Sequence, residues 1–135
     1  MVAIYTYTPL NTRLKSLENP RKMNKKQFID SLEQSISSLP NIIGINNHMG
    51  SLLTTSNKHM KWLMEILQHK NLLFIDSRTT SDTIAESIAK SHHIPVTRRN
   101  VFLDHSRELT DIKYQYKRFF INKKIEKRLV CEIIM

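Results

Sequence analysis

Residues 44–51 read GINNHMGS, directly after the apolar pair Ile42-Ile43, and bring a histidine, two asparagines and a serine into one octet. The whole chain has 2 glycines, Gly44 and Gly50, and both lie here. A neutral imidazole can ligate a divalent metal or carry a proton near neutral pH, and neighbouring amides can orient the ring or a substrate carbonyl. That chemistry makes His48 a candidate metal ligand and Asn46, Asn47 and Ser51 candidate substrate contacts. The same residues also describe a tight loop in which Gly44 or Gly50 supplies a positive φ and His48 is an ordinary loop side chain. The residues alone leave both readings open.

A second polar group closes the apolar run LLFI: Asp76, Ser77 and Arg78. An acid beside an arginine can position a ligand, or can belong to the loop approaching a helix. Arg98, Arg99 and Asp104 are open in the same way. The other histidines are weaker candidates. His59 and His69 lie on a helical stretch without the spacing of a two-histidine zinc helix. His92-His93 marks a helix end, where imidazole can meet terminal carbonyls. His105 follows Asp104 in a loop. The single cysteine, Cys131, excludes an internal disulfide framework and a cysteine-based zinc site. No G-x-S-x-G elbow and no glycine-rich phosphate loop is present.

The elements that must position these groups follow from the apolar period. VAIYTYT is a β-branched and aromatic strand ended by Pro9. Asn24 is a good N-cap for a helix through Leu39, with Phe28, Leu32, Ile36 and Leu39 on one face, stopped by Pro40-Asn41. IIGI is a short buried strand, and Thr54 to Ser56 offers caps for a helix whose stripe is Met60, Leu63, Met64 and Leu67. LLFID is the next strand. Ser81 is expected to cap a helix holding Ile84, Ile88 and Ala89. VTRRNVFLD carries a strand in its VFL portion or in the segment leading into it. Thr110 is expected to cap a long last helix, and LVCEII to form a last strand. Strands alternating with helices imply right-handed crossovers and a mostly parallel sheet in a single α/β domain over residues 1–135. In such folds ligands sit beyond the C-terminal strand ends. The expected rim is therefore YTPLN, NNHMGS, DSRTT and RRNVFLD.

The chain has 135 residues with 40% hydrophobic and 24% charged, the balance of a globular domain. No run approaches the length of a transmembrane helix. The N-terminus has no basic start followed by an apolar run, so no signal peptide is expected and the cytoplasm is the default location. The net charge of +9 is concentrated in residues 21–26, 98–99 and 113–128. Without a recognition-helix, zinc-finger or stacking signature, it reads as solvated helix surface and not as specific nucleic-acid binding.

GINNHMGS, then FIDSRTT, then IPVTRRNVFLD, in this order and with a Trp62-bearing helix between the first two, resemble the divergent polysaccharide deacetylase family of bacteria. The resemblance implies a partial (β/α) barrel of the polysaccharide-deacetylase type and removal of acetyl groups from a glycan. It also implies a divalent metal, usually zinc, that activates water and polarises the carbonyl. Carried over residue by residue, it makes His48 the metal or active-site histidine. Asp76, Arg78 and Arg99 become catalytic candidates, with Asp104 in support. Relatives are typically exported. The family pattern also includes a paired-aspartate strand such as IDDLG, which has no counterpart here, and a motif of the type HLPMEPL, where this chain reads IYTYTPLN. It closes with a glycine-histidine motif, whereas this chain stops at VCEIIM. The expectation is an incomplete domain with impaired turnover, because a catalytic zinc needs three protein ligands and His48 alone is in place. The alternative is a non-catalytic basic module that binds glycans or polyanions. Unpaired sheet edges are expected to invite self-association.

Overall fold

A computed structural model describes the backbone of residues 2–6, 22–47, 51–102 and 106–125, and the side chains of 22–47, 51–102 and 106–121. His48, Gly50, Asp104, His105, Cys131 and the expected strand LVCEII lie outside the described residues. The element order is β1 (Val2–Thr6), α1 (Lys25–Ser37), β2 (Ile42–Asn47), α2 (Ser51–Thr54), α3 (Asn57–His69), β3 (Leu73–Asp76), α4 (Ala85–Ser91), β4 (Val96–Arg98) and α5 (Leu109–Ile125). The strands form one open sheet in the order β1-β2-β3-β4. β2, β3 and β4 run parallel, and β1 joins the edge antiparallel. This is the expected alternating α/β architecture. The fourth strand is Val96–Arg98, the segment leading into VFL rather than VFL itself.

The antiparallel edge reverses the direction of β1 relative to the other strands. Thr6, the last residue of β1, pairs with Ile42, whereas Val2 pairs with Asn47. β1 therefore ends at the side of the sheet opposite Asn47, and the expected rim segment YTPLN lies outside the described residues.

Register decides which side chains face the helices. Ile45 pairs with Phe74, and Phe74 with Val96. Ile45 and Phe74 are fully buried, with Val96 packed beside them. Successive residues alternate faces, so the row of Gly44 and Leu73 and the row of Asn46, Ile75 and Thr97 lie on the other side. At the β1 edge, Tyr5 pairs with Gly44 and Thr6 with Ile42, which leaves Ile43 as the extra residue of a bulge. The bulge turns Ile42 back to the helix side and leaves Ile43 51% exposed.

The helices pack the stripes the sequence spaces for them. α1 brings Phe28, Leu32 and Ile36, α3 brings Met60, Leu63, Met64 and Leu67, and α4 brings Ala85, Ile88 and Ala89. Each large side chain so buried is worth about 1.5–3 kcal/mol before entropy is counted. α1 opens with a capping box: Asn24 Oδ1 accepts from Gln27 N at 2.9 Å, and Gln27 Oε1 accepts from Asn24 N at 3.0 Å.

α3 and α4 both end in a Schellman turn. Leu72 N donates to Leu67 O at 2.9 Å, and Ile94 N donates to Ala89 O at 3.0 Å. The turning residues are Asn71 (φ 53°) and His93 (φ 56°), and Asn41 (φ 55°) does similar work before β2. Left-handed positions that usually carry glycine carry Asn and His here. That is how the fold manages with so little glycine. Gly44 itself is not at positive φ. A Cβ there would lie 2.8 Å from the Leu73 carbonyl oxygen and would run into the Leu73 side chain, so Gly44 is required by close strand packing.

Candidate functional site

The C-terminal ends of β2, β3 and the chain just after β4 converge on a buried polar cluster. Asn46, Asn47, Asp76, Ser77 and Arg99 are all more than nine-tenths buried. Ser77 is its hub. Its backbone N–H donates to Asn47 Oδ1 at 2.8 Å, and its hydroxyl accepts from Asn46 Nδ2 at 3.1 Å. Its carbonyl accepts from Arg99 Nε at 2.5 Å. Arg99 Nη2 donates to the Arg78 carbonyl at 2.6 Å, and the guanidinium stacks on Phe102. The Arg99 N–H continues the β3–β4 ladder by donating to Asp76 O at 2.9 Å. One arginine thus pins the exit of β3 from two sides.

Asp76 organises the loop that follows. Its Oδ1 accepts from Arg78 N at 2.9 Å, an Asx turn that holds Arg78 at φ 45°. Its Oδ2 accepts from Thr83 Oγ1 at 2.8 Å. Thr83 Oγ1 in turn accepts from Ala85 N at 3.3 Å, so Thr83 opens α4 in place of the expected Ser81, whose hydroxyl goes to Asp82. Ile84 N anchors this loop to Thr54 O of α2 at 2.9 Å. Ser51 begins α2, and its carbonyl accepts from Thr54 Oγ1 and Thr55 Oγ1. Chain order therefore sets His48 between the buried Asn47 and the start of α2, although its own placement lies outside the described residues.

Two atoms of the cluster stand out. Asn46 Oδ1 and Asn47 Nδ2 are buried and make no hydrogen bond among the described residues. Each such group costs about 1–3 kcal/mol when left unmatched. The orientation of Asn47 is fixed, because its oxygen must face a backbone N–H. Its open atom is a donor. Asn46 faces a hydroxyl, which can both give and accept, so turning its amide over would offer a donor in place of an acceptor.

Beside the cluster, Arg98 Nη1 meets Glu86 Oε2 at 3.1 Å, and Lys90 Nζ meets Glu86 Oε1 at 2.6 Å. The Lys90 hydrogen bond leads in holding the Glu86 carboxyl below its ordinary value of 4.5. Arg98 assists, and partial burial opposes.

The rim thus brings together Asn46, Asn47, Asp76, Arg78 and Arg99, with Ser51 starting the next helix. Among the described residues no three His, Cys, Asp or Glu side chains come close enough to hold a metal ion. With both Asp76 oxygens engaged by its own loop, the described donor set does not fit a metal. Sequence reading overlooked Thr83 as the partner of Asp76. The only signal was a threonine a few residues past a strand-ending aspartate. It also ranked His59 low, yet His59 is buried at 4% exposure, its Nδ1 2.7 Å from Ser56 Oγ and its ring against Phe28 and Trp62. It is a core residue of α3. His92 does meet a helix-end carbonyl, with Nδ1 2.9 Å from Ile88 O.

Comparison with known proteins places this geometry in a family. Residues 20–129 match the divergent polysaccharide deacetylase family. An uncharacterized protein of Haemophilus influenzae is 39% identical over 95 residues, covering 70% of this chain and 34% of the relative. The uncharacterized protein YibQ of Escherichia coli is 35% identical over 97 residues, covering 72% of this chain and 30% of YibQ. The chain thus spans about a third of the length of these relatives. A crystal structure of an uncharacterized protein from Agrobacterium tumefaciens C58 superposes with a TM-score of 0.78 at 18% identity, over 95% of this chain and 52% of that one, and so shares its fold. From the match over residues 20–129, the chain belongs to the divergent polysaccharide deacetylase family.

Proposed function

We propose that this chain carries the substrate-holding part of a glycan deacetylase-type site, and that on its own it binds an acetylated glycan with little or no turnover. The observation that supports this reading is the pair of buried, unmatched amide atoms on Asn46 and Asn47 at the C-terminal rim of the parallel strands. An acetamido or acetyl ester group offers a carbonyl acceptor to the fixed Asn47 Nδ2 donor. An acetamido N–H or a sugar hydroxyl suits Asn46. Ser77, held by both asparagines and by Arg99, keeps the two amides in place. Impaired turnover is argued from Asp76. Its two oxygens accept from Arg78 N and Thr83 Oγ1, so the carboxylate serves the loop instead of standing ready as a base or ligand. The family's divalent metal, zinc in this proposal, would depend on His48 together with groups beyond the described residues.

The test is titration of the purified chain with a short N-acetylated glucosamine oligomer, followed by calorimetry and by acetate release, with zinc content measured in parallel. Binding without acetate release is expected, weakened about tenfold or more in Asn47→Leu, as for a lost buried hydrogen bond. Binding indifferent to Asn46→Leu and Asn47→Leu would sink the substrate-holding part. Stoichiometric zinc and acetate release, both lost in His48→Ala, would overturn the impaired part.

A further inference from the structure

We propose that Arg78 is a specificity-determining residue that takes a carboxylate of the ligand, so that the glycan bound at this rim is an acidic one. This deepens the glycan reading and rests on it. The backbone gives the first observation. Among the described residues, the non-glycine positions at positive φ are Asn41, Asn71, Arg78 and His93. Asn and His are residue types that tolerate the left-handed region. Arginine is not, and a residue kept there is under a strain that its surroundings must impose. They do so from both sides: Asp76 Oδ1 accepts from Arg78 N at 2.9 Å, and Arg99 Nη2 donates to Arg78 O at 2.6 Å. Asn or His would turn the chain here at less cost, so the arginine is explained by its side chain and not by the turn.

That side chain is uncommitted. Arg98 gives its guanidinium to Glu86, and Arg99 gives its own to the carbonyls of Ser77 and Arg78. Arg78 is half-buried, yet it bonds through its backbone alone, and its guanidinium meets no acceptor among the described residues. The acids of its own loop are turned to other donors. Asp76 accepts from Arg78 N and Thr83 Oγ1, and Asp82 Oδ1 accepts from the Ser81 hydroxyl at 3.1 Å. Arg78 also directly follows Ser77, whose N–H is held by Asn47 Oδ1. The cation therefore stands next in the chain to the residue that fixes the unmatched Asn47 Nδ2. A guanidinium is a planar fork of donors that matches a carboxylate. It balances a single negative charge, whereas a phosphate monoester carries up to two. An acetylated glycan with uronate units supplies both groups: an acetyl carbonyl for Asn47 Nδ2 and a carboxylate for Arg78.

The experiment is calorimetric titration of the 135-residue chain with two oligomers of equal length. One is built of N-acetylglucosamine alone, and the other alternates N-acetylglucosamine with glucuronate. The wild-type chain should bind the acidic oligomer about tenfold or more tighter, as for one charge-assisted hydrogen-bond pair. Arg78→Asn should lose that preference. Asparagine suits the left-handed turn, so this variant should melt no lower than wild type, which separates a lost ligand contact from a lost fold. Lys113→Asn removes the same charge from an exposed position on α5 and should keep the preference within about threefold. Equal binding of the two oligomers by the wild-type chain overturns the inference and leaves the glycan reading standing. A preference that survives Arg78→Asn, or that falls equally in Lys113→Asn, also overturns it, because the acidic oligomer then answers only to the net charge of +9. Binding of neither oligomer overturns the glycan reading and this inference with it.

Discussion

The rim and α5 break the ordinary partition of side chains in opposite directions. At the rim, five polar residues are buried. On α5, large apolar residues are left in water. The rim offsets its burial by spending almost every polar atom on a partner: Ser77 uses its N–H, hydroxyl and carbonyl, and Asp76 uses both oxygens. On α5, Tyr116 and Phe119 pack on Phe120, while Leu109, Tyr114 and Ile121 stay largely exposed. The contrast teaches that the rim is stabilised by its own hydrogen bonds, while the exposed apolar side chains of α5 add little to the described core. Removing a side chain should therefore be costly at the first and nearly free at the second.

The largest expected effect tests that contrast directly. Asp76→Ala leaves the Arg78 N–H and the Thr83 hydroxyl without their acceptor and frees the left-handed turn at Arg78. The expected destabilisation is about 2–4 kcal/mol, one buried donor or more losing its partner. Ile121→Ser, at a position 56% exposed, should stay within about 0.5 kcal/mol of wild type. Thermal or urea melts at low protein concentration, where any association is suppressed, measure both. Similar losses at the two sites would erase the distinction between them.

A middle-sized effect is expected at Gly44, where the rim strand meets its neighbour. The Cβ of Gly44→Ala would lie 2.8 Å from a backbone oxygen of β3, and backbone cannot move aside without loosening the Gly44–Leu73 pairing. A loss of about 1–3 kcal/mol is expected, the usual range for overpacking. A neutral result in a urea melt would mean that β2 and β3 slide more easily than a rim built on their register should allow.

Much of this fold was legible in the sequence, because the signals were local. Asn24 with Gln27, the α1 and α3 stripes and the apolar strands IIGI and LLFI all express a period or a cap that neighbouring residues define. The meeting of Asn46 and Asn47 with Ser77 was legible from topology alone, since parallel strands expose their C-terminal ends together. What sequence could not supply was pairing at a distance. Nothing local says that β1 runs antiparallel to β2. Nor does spacing show that the partners of Asp76 are its own loop, or that Arg99 spends its guanidinium on the carbonyls of Ser77 and Arg78. For Gly44 the positive-φ reading does not hold, for a related reason, while Gly50 lies outside the described residues. A positive φ is a local property and was expected at a glycine, whereas Gly44 answers to Leu73 on the adjacent strand, and Asn71 and His93 take the left-handed turns.

The smallest effect concerns the border between the rim and the solvent. Glu86 on α4 holds Arg98, whose strand position pairs with Asp76, so this ion pair ties α4 to the rim strand from outside. The Lys90 hydrogen bond, with help from Arg98, depresses the Glu86 carboxyl below its ordinary 4.5 in the fold. A depressed carboxyl contributes stability above its unfolded value, and that contribution is lost as pH falls through the lower folded value. Lys90 and Arg98 are both substantially exposed, so solvent screening limits the contribution to about 0.5–1 kcal/mol. Glu86→Gln should be less stable than wild type by that amount near neutral pH. The gap should close as pH drops below 4.5, where the wild-type carboxyl takes up its proton in both states. Paired melts across this range isolate Glu86 from the other carboxylates, because those titrate alike in both proteins. A gap that persists unchanged in acid would mean the glutamate acts through packing and not charge.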